Sequence, residues 1–236
     1  MSKKLTLYQA LKKSGLFKDK DELSNAVNNG KITVDGIVTK ALQFQFSPNK
    51  RKVCFDGKEI NFIEKKYYVI NKTLGYSCQK NDKAPYVVDI FDFPEQLKNS
   101  LFSVGRLDFQ TTGLLIVTND GDFAQTILSE KVSKTYKVIT TKEVIEPQIQ
   151  HLKDGVLIHT GGEEYITKPA QVKRIDAQTI LVTIHEGKHR QVRKMMKAIG
   201  NDVISLERVA IGGINIKLEE GKWKEYSEEE IKKIIK

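Results

Sequence analysis

A polar loop between two glycines runs directly into the most apolar segment of the chain. Gly105 and Gly113 bracket this loop, and the segment 114–117 that follows is wholly apolar. A short apolar run next to a glycine is typical of a buried β-strand. It is far shorter than the roughly 18 residues that a membrane-spanning helix needs, so we expect no membrane association. An acidic side chain on such a loop, here Asp108, either binds a ligand or holds the turn together.

The composition excludes several classes of protein. With 39% hydrophobic and 29% charged residues, the chain of 236 residues has enough apolar side chains for a folded core. Its two cysteines, Cys54 and Cys78, are too few for a disulfide framework. The first six residues contain no apolar signal sequence. We therefore expect a globular cytoplasmic protein.

Positive charge is concentrated near the N-terminus. Residues 1–60 carry 12 basic and 6 acidic side chains, which give +6 of the chain's net charge of +9. A small segment with this excess is suited to binding phosphate groups, such as those of nucleic acids. A lysine-rich surface that contacts only solvent would have the same composition, so charge alone does not decide between the two.

Apolar residues at helical spacing predict two helices between residues 5 and 30. They are Leu7, Ala10 and Leu11 in the first helix, and Leu23, Ala26 and Val27 in the second. Asp19, with Glu22 three residues later, predicts the start of the second helix. Residues 31–38 alternate in polarity around Asp35-Gly36, which is typical of a β-hairpin with a two-residue turn.

Beyond residue 66 the pattern changes to strands interspersed with helices. The strand candidates, rich in β-branched and aromatic residues, are 67–71, 113–118, 135–140 and 179–184. The helix candidates are 121–128, 147–152 and 189–199. Because strands and helices do not alternate strictly, this pattern predicts an α+β fold with a largely antiparallel sheet. Residues 61–66 are predicted to link the module 1–60 to a larger domain, 67–236.

The N-terminal pattern resembles the S4 RNA-binding domain. The resemblance covers about residues 5–52 and is carried mainly by residues 30–36. It implies an RNA-binding domain over residues 1–60, in which the second helix and the following loop lie against structured RNA. The lysines expected to contact phosphate groups are Lys12, Lys13, Lys18, Lys20 and Lys31.

The segment 103–121 resembles the catalytic motif of pseudouridine synthases, G-R-L-D-x-x-T-x-G-L-L-[IV]-x-T-x-D-G. The matching residues are Gly105, Arg106, Leu107, Asp108, Thr111, Gly113, Leu114, Leu115, Ile116, Thr118, Asp120 and Gly121. Further motifs of this family occur in order at 68–76, 134–136, 186–195 and 208–214. With the N-terminal module, this layout resembles the RsuA-type family. It implies a small S4-like helix–helix–hairpin domain followed by a synthase domain with a mostly antiparallel mixed sheet and flanking helices.

The resemblance implies isomerisation of uridine to pseudouridine in RNA, with no cofactor and no metal ion. Asp108 is at the position of the family's essential aspartate, whose carboxylate attacks either C1′ of the ribose or the base. Its anionic form requires a nearby cation. Arg193 is at the family's cationic position, and Arg190 is the alternative. Tyr136 is at the position of a tyrosine that stacks on the uracil and helps to move the C5 proton.

The same resemblance assigns the other residues of the site. Leu107, Phe109 and Thr111 are expected to line the pocket. The expected RNA contacts outside the N-terminal module are Arg106, Lys188 and Arg190. Segments 155–159 and 167–170 most resemble family members that modify small-subunit RNA. The implied partner is therefore ribosomal RNA, namely 16S RNA or a small-subunit assembly intermediate, with 23S RNA as the alternative, and we expect the protein to be a monomer.

Two alternative functions, which belong to other classes of protein, are also compatible with parts of this sequence. One is a ribosome-assembly factor that binds RNA without catalysis. The other is a zinc hydrolase, because residues 185–189 read His-Glu-x-x-His and Glu207 offers a third ligand. That motif requires a helix, whereas residues 179–184 are a strand candidate and Gly187 disfavours a helix. The segment is therefore predicted to form a strand, a turn and then a helix, which separates the two histidines.

Overall fold

The structure, a computed structural model, describes residues 4–80 and 83–235, except for the side chain of Asn49. The predicted N-terminal domain begins at Met1 and the predicted catalytic domain ends at Lys236, and both of these residues lie outside the described ranges. None of the helices in these ranges has both the length and the apolar content that crossing a lipid bilayer requires.

The chain divides into two compact units. The first consists of Met1–Lys65 and Phe91–Phe102, and the second of Lys66–Ile90 and Ser103–Lys236. The sequence pattern did not indicate that residues 91–102 pack with the N-terminal unit. In that unit the side-chain amide of Gln96 donates a hydrogen bond to the Ser14 carbonyl at 2.9 Å.

In the first unit, the described residues form short α-helices and short β-strands. The helices are α1 (Leu7–Ser14), α2 (Lys20–Asn28) and α3 (Glu95–Ser100). The strands are β1 (Leu5–Thr6), β2 (Ile32–Val34), β3 (Ile37–Val38), β4 (Gln45–Phe46), β5 (Val53–Phe55) and β6 (Lys58–Glu59). A four-stranded antiparallel sheet has the order β3-β2-β5-β6, and β1 pairs with β4.

The predicted helices and hairpin of the first unit are confirmed. All six apolar residues that predicted α1 and α2 are buried in one core. Asp19 is the N-cap of α2, and its carboxylate accepts a hydrogen bond from the backbone N–H of Glu22 at 2.9 Å. In the turn between β2 and β3, Asp35 and Gly36 have φ values of +51° and +81°. These left-handed conformations define the tight hairpin turn that the dipeptide predicted.

The rest of the chain forms a large sheet with flanking helices. The remaining strands are β7 (Tyr67–Lys72), β8 (Phe102–Val104), β9 (Thr112–Thr118), β10 (Lys134–Thr140), β11 (Leu157–Thr160), β12 (Glu163–Ile166), β13 (Gln171–Arg174), β14 (Thr179–Ile184), β15 (Val203–Ile211), β16 (Ile214–Asn215) and β17 (Trp223–Tyr226). The remaining helices are α4 (Gly121–Leu128), α5 (Glu146–Asp154), α6 (Gln191–Ala198) and α7 (Glu228–Ile235). Short 3-10 helices span Pro48–Lys50 and Val87–Ile90.

The main sheet is mostly antiparallel, as predicted. Its central path runs β13-β14-β10-β15-β9-β7-β17, and neighbours on this path are antiparallel except for the parallel pair β9 and β15. Every residue of β7 and nearly every residue of β9 is buried, which explains why their sequences are almost continuously apolar. The predicted strands and helices all occur, with ends shifted by at most two residues. The strands β15 and β17 and the hairpin β11–β12 were not predicted.

Candidate active site

The loop between β8 and β9 carries Asp108 and is fixed through its backbone. Gly105 begins the loop with a φ of +71°, a left-handed conformation that glycine adopts without strain. The backbone N–H of Thr111 donates a hydrogen bond to the Asp108 carbonyl at 2.9 Å. The carboxyl group of Asp108 remains about a quarter exposed, on the wall of an open cleft.

Lys72, the last residue of β7, is fully buried and binds the same loop. Its ammonium group donates hydrogen bonds to the carbonyls of Thr73 (3.0 Å), Thr111 (3.0 Å) and Asp108 (3.4 Å). Burial lowers the pKa of Lys72, whereas interactions with Cys78 and Asp108 raise it. No role was predicted for Lys72 from the sequence, although a lysine at the end of an apolar strand is the signal that could have indicated one.

The cleft beside Asp108 is open to solvent. The predicted site residues that line it are Arg106, Leu107, Asp108, Thr111, Tyr136, Lys188 and Arg190. They come from the loop after β8, from β10 and from the turn before α6. Phe109 is not among the lining residues, and 53% of its surface is exposed. The loop reverses direction at this residue, between the hydrogen-bonded positions 108 and 111, and therefore turns Phe109 outward.

Two arginines contact the catalytic loop. A guanidinium nitrogen of Arg190 lies 3.7 Å from a carboxylate oxygen of Asp108. Arg193 instead donates hydrogen bonds to the backbone carbonyls of Gln110 (2.8 Å) and Val203 (3.5 Å). The pKa of Arg193 is lowered mainly by burial and also by the charge of Arg190, and it is raised by Asp108. The ion pair with Asp108 is thus made by Arg190, the predicted alternative, while Arg193 ties the loop to β15.

The segment between β14 and α6 is a turn and not a continuous helix. β14 ends at Ile184 and α6 begins at Gln191, which confirms the predicted strand–turn–helix. Arg190 has a φ of +53°. For a residue with a side chain, this left-handed conformation costs about 1–2 kcal/mol. The turn therefore presents the Arg190 side chain from a strained backbone position that the rest of the structure must hold.

The two histidines of the His-Glu-x-x-His segment have different surroundings. Nδ1 of His185 is hydrogen-bonded to the Glu130 carbonyl at 3.0 Å. His189 is exposed on the turn. Across residues 4–80 and 83–235, no three His, Cys, Asp or Glu side chains are grouped closely enough to hold a metal ion. The described part of the chain therefore offers no ligand set for the zinc alternative.

Tyr136 brings an aromatic ring to the cleft that contains Asp108. It lies on β10 opposite Val182 of β14 and Arg208 of β15. The ring is partly buried and packs against the apolar cluster formed by β10, β14, α5 and α6. Arg208 is buried, and its Nε–H donates a hydrogen bond to the Leu114 carbonyl at 2.7 Å. This bond joins β9 to β15, and β15 pairs with β10. The strand that carries the tyrosine is therefore connected through β15 to the strand that follows the Asp108 loop.

The predicted phosphate contacts differ in their surroundings. At the cleft, Arg106 is exposed and donates a hydrogen bond to the side chain of Gln79. The ammonium group of Lys188 lies 4.4 Å from the centre of the Tyr165 ring, within range of a cation–π interaction. In the first unit, Lys18, Lys20 and Lys31 are exposed, and Lys12 and Lys13 are half-buried.

Comparison with known proteins identifies the class of enzyme. The RNA pseudouridylate synthase family matches residues 66–198, which is more than half of the chain. This match spans the catalytic loop, Tyr136 and the two arginines. The chain belongs to this family, an isomerase family, and the resemblance seen in the sequence is confirmed.

Individual relatives match nearly the whole chain. Ribosomal small subunit pseudouridine synthase A of Haemophilus influenzae is 33% identical over 223 residues, which cover 92% of this chain and 94% of the relative. An uncharacterized RNA pseudouridine synthase of Bacillus subtilis is 34% identical over 236 residues, with coverages of 96% and 97%. A crystal structure of a pseudouridylate synthase is similar with a TM-score of 0.70 and 33% identity, and it covers 98% of this chain and 99% of its own.

Proposed function

We propose that the chain isomerises a uridine of ribosomal RNA to pseudouridine, with the 16S RNA of the small subunit as its substrate. The observation that carries the proposal is the carboxylate of Asp108 in one cleft with the ring of Tyr136 and the guanidinium group of Arg190. The choice of 16S RNA is supported by relatives named as small-subunit enzymes, including those of Haemophilus influenzae and Escherichia coli. The alternative substrate is 23S RNA.

In the proposed reaction, the target uridine leaves its stack and enters the cleft. The Asp108 carboxylate attacks the nucleoside, and the N1–C1′ bond breaks. The uracil then turns, C5 bonds to C1′, and the bond between Asp108 and the nucleoside breaks, which releases the carboxylate. The C5 proton is lost and N1 gains a proton, so the product is an isomer of the substrate. Tyr136 stacks on the uracil and assists the proton transfer.

The basic side chains around the cleft are proposed to bind the RNA backbone. Arg190 and Asp108 are about 40% and 25% exposed, so their ion pair contributes little to stability. The guanidinium group therefore remains accessible to a phosphate of the entering nucleotide while it lies beside the carboxylate of Asp108. Arg193 keeps the loop in place through Gln110. Arg106 and Lys188 border the same opening and are assigned to neighbouring phosphates.

The substrate is tested by incubating the purified chain with unmodified 16S and 23S RNA. Because contacts with the surrounding RNA select which uridine is flipped into the cleft, we expect a new pseudouridine at a single position of the 16S RNA. Chemical mapping of pseudouridine locates it. Modification confined to 23S RNA would overturn the proposed substrate but not the reaction. Absence of pseudouridine from both RNAs, including RNA in small-subunit assembly intermediates, would overturn the reaction.

We propose that residues 1–60 are an S4-like RNA-binding domain, residues 61–66 a linker and residues 67–236 the catalytic domain. The two helices, the hairpin and the positive charge of the first unit support this division. Replacing the exposed Lys18, Lys20 and Lys31 by glutamine should weaken RNA binding. It should also reduce the slope of log K against log salt by up to about 0.9 for each phosphate that the variant no longer neutralises.

The matched control replaces exposed lysines of the other unit, Lys142 and Lys153, by glutamine. Filter binding at several salt concentrations measures both sets. Lys31 also pairs with Asp56 at 3.1 Å, but this ion pair is about half exposed and contributes little to stability. Equal slopes for the wild-type chain and the triple variant would argue against the RNA-binding role of the first unit.

A further inference from the structure

The turn before α6 is held by a buried carboxylate, that of Glu186. This residue lies two positions after β14, and only 7% of its surface is exposed. It accepts hydrogen bonds from the Tyr165 hydroxyl (2.5 Å), the Lys168 backbone N–H (3.0 Å) and the Gln191 side-chain amide (2.5 Å). One carboxylate therefore connects the hairpin β11–β12, the segment after it and the first residue of α6.

Gln191 closes the turn around Arg190. Its side-chain carbonyl accepts the backbone N–H of Lys188 at 2.9 Å, and its own backbone N–H donates to the Lys188 carbonyl at 3.1 Å. Arg190 lies between these two residues in its left-handed conformation. Such strain persists only where the surrounding contacts over-determine the backbone. The hydrogen bonds from Glu186 through Gln191 to Lys188 supply those contacts.

A carboxylate buried among neutral donors is costly, because it loses hydration without gaining a cation. Within the described residues, no ion pair to Glu186 is formed within 4 Å. The neighbouring ammonium group of Lys188 is instead placed over the Tyr165 ring. The hydrogen bond from Tyr165 to Glu186 raises the pKa of the tyrosine to about 12, so the hydroxyl remains a donor at neutral pH. An apolar residue would fill this position at lower cost if only packing were needed.

We propose that Glu186 is a positioning residue for catalysis. Through Gln191 it fixes the turn, and the turn holds the guanidinium group of Arg190 opposite the carboxylate of Asp108. The inference rests on the proposed function, because the alignment of Arg190 and Asp108 matters only if Asp108 performs the reaction. It also gives the hairpin β11–β12 a part in the site, since Tyr165 contributes one of the hydrogen bonds.

The test is a double-mutant cycle on the full chain, with unmodified 16S RNA as the substrate. We expect Arg190→Ala to lower the single-turnover rate about a hundredfold and Glu186→Gln about tenfold, because small misplacements of a catalytic group have effects of this order. In the Arg190→Ala background, Glu186→Gln should cause no further loss, since the side chain that it positions is gone. A further tenfold loss in the double variant would overturn the proposal.

Two more variants make the cycle decisive. Tyr165→Phe removes one hydrogen bond of the network and should lower the rate about threefold, again only when Arg190 is present. If Glu186→Gln does not fold, Tyr165→Phe takes its place in the double-mutant cycle. The matched control is Glu164→Gln, the same chemical change at an exposed residue of β12, and it should leave the rate unchanged. A loss for Glu164→Gln equal to that for Glu186→Gln would contradict a specific role for Glu186.

Amide hydrogen exchange supplies a measurement that does not depend on activity. In Glu186→Gln, the amides of Lys188 and Gln191 should exchange faster, whereas those of β9 should not change. If the wild-type chain forms no pseudouridine, the proposed function fails while this measurement still tests the turn. Unchanged exchange at both amides in an active enzyme would show that Glu186 does not position the turn.

Discussion

Replacement of Asp108 by asparagine is expected to abolish pseudouridine formation. The amide has nearly the shape of the carboxylate but carries no charge, so it neither attacks the nucleoside nor pairs with Arg190. Loss of a group that acts as nucleophile lowers catalytic rates by about 10⁴-fold or more. Single-turnover incubation with 16S RNA, followed by chemical mapping of pseudouridine, measures the rate over that range.

The fold and RNA binding of this variant should be almost unchanged. Asp108 and Arg190 are both partly exposed, so breaking their ion pair should alter the free energy of unfolding by less than about 1 kcal/mol. The control is Asp154→Asn, at an exposed aspartate that ends α5 and accepts a hydrogen bond from the side chain of Gln150. A rate for Asp108→Asn within tenfold of the control rate would contradict the role of Asp108.

Local structure was predictable because it depends on residues that are close in sequence. The spacing of Leu7, Ala10 and Leu11 sets the buried face of α1, and Asp35-Gly36 sets a hairpin turn. Likewise, the apolar run after Gly113 becomes the buried strand β9. In each of these cases the physical cause lies within a few residues. The pairing of distant strands, such as the parallel contact of β9 with β15, has no such local cause.

Within the site, the sequence predicted most of the residues that line the cleft, but not all of the ion pairs and hydrogen bonds that they form. Asp108 and Tyr136 line one cleft, as the family motifs implied. The ion pair of Arg190 with Asp108 depends on the left-handed backbone of Arg190. The sequence does not indicate this conformation, because residues other than glycine adopt it rarely. Glu186 was given no role because its contacts depend on burial, which a single charged residue in a sequence does not reveal.

Gly113→Ala is expected to destabilise the protein by about 3–5 kcal/mol. Gly113 has a φ of +110°, a conformation that residues with side chains rarely adopt. A Cβ atom there would lie 2.4 Å from the carbonyl oxygen and 2.6 Å from the nitrogen of Arg208. Both contacts are with backbone at the parallel pairing of β9 with β15, so no side-chain rotation relieves them. Urea unfolding gives the free energy, with fluorescence of the single tryptophan, Trp223 on β17, as the probe.

The matched control is Gly121→Ala, eight residues further along the chain. Gly121 begins α4, and its φ is not in the left-handed region. Apart from its chain neighbours and the nearby backbone of α4, no described atom lies within 4 Å of the place where Cβ would stand. Alanine at this position should leave the stability unchanged or raise it by about 0.4–1 kcal/mol. Because Gly113 lies at the start of β9, directly after the loop that carries Asp108, its variant should lose activity even where it remains folded. Equal unfolding midpoints for the two variants would show that β9 and β15 do not approach as closely as described.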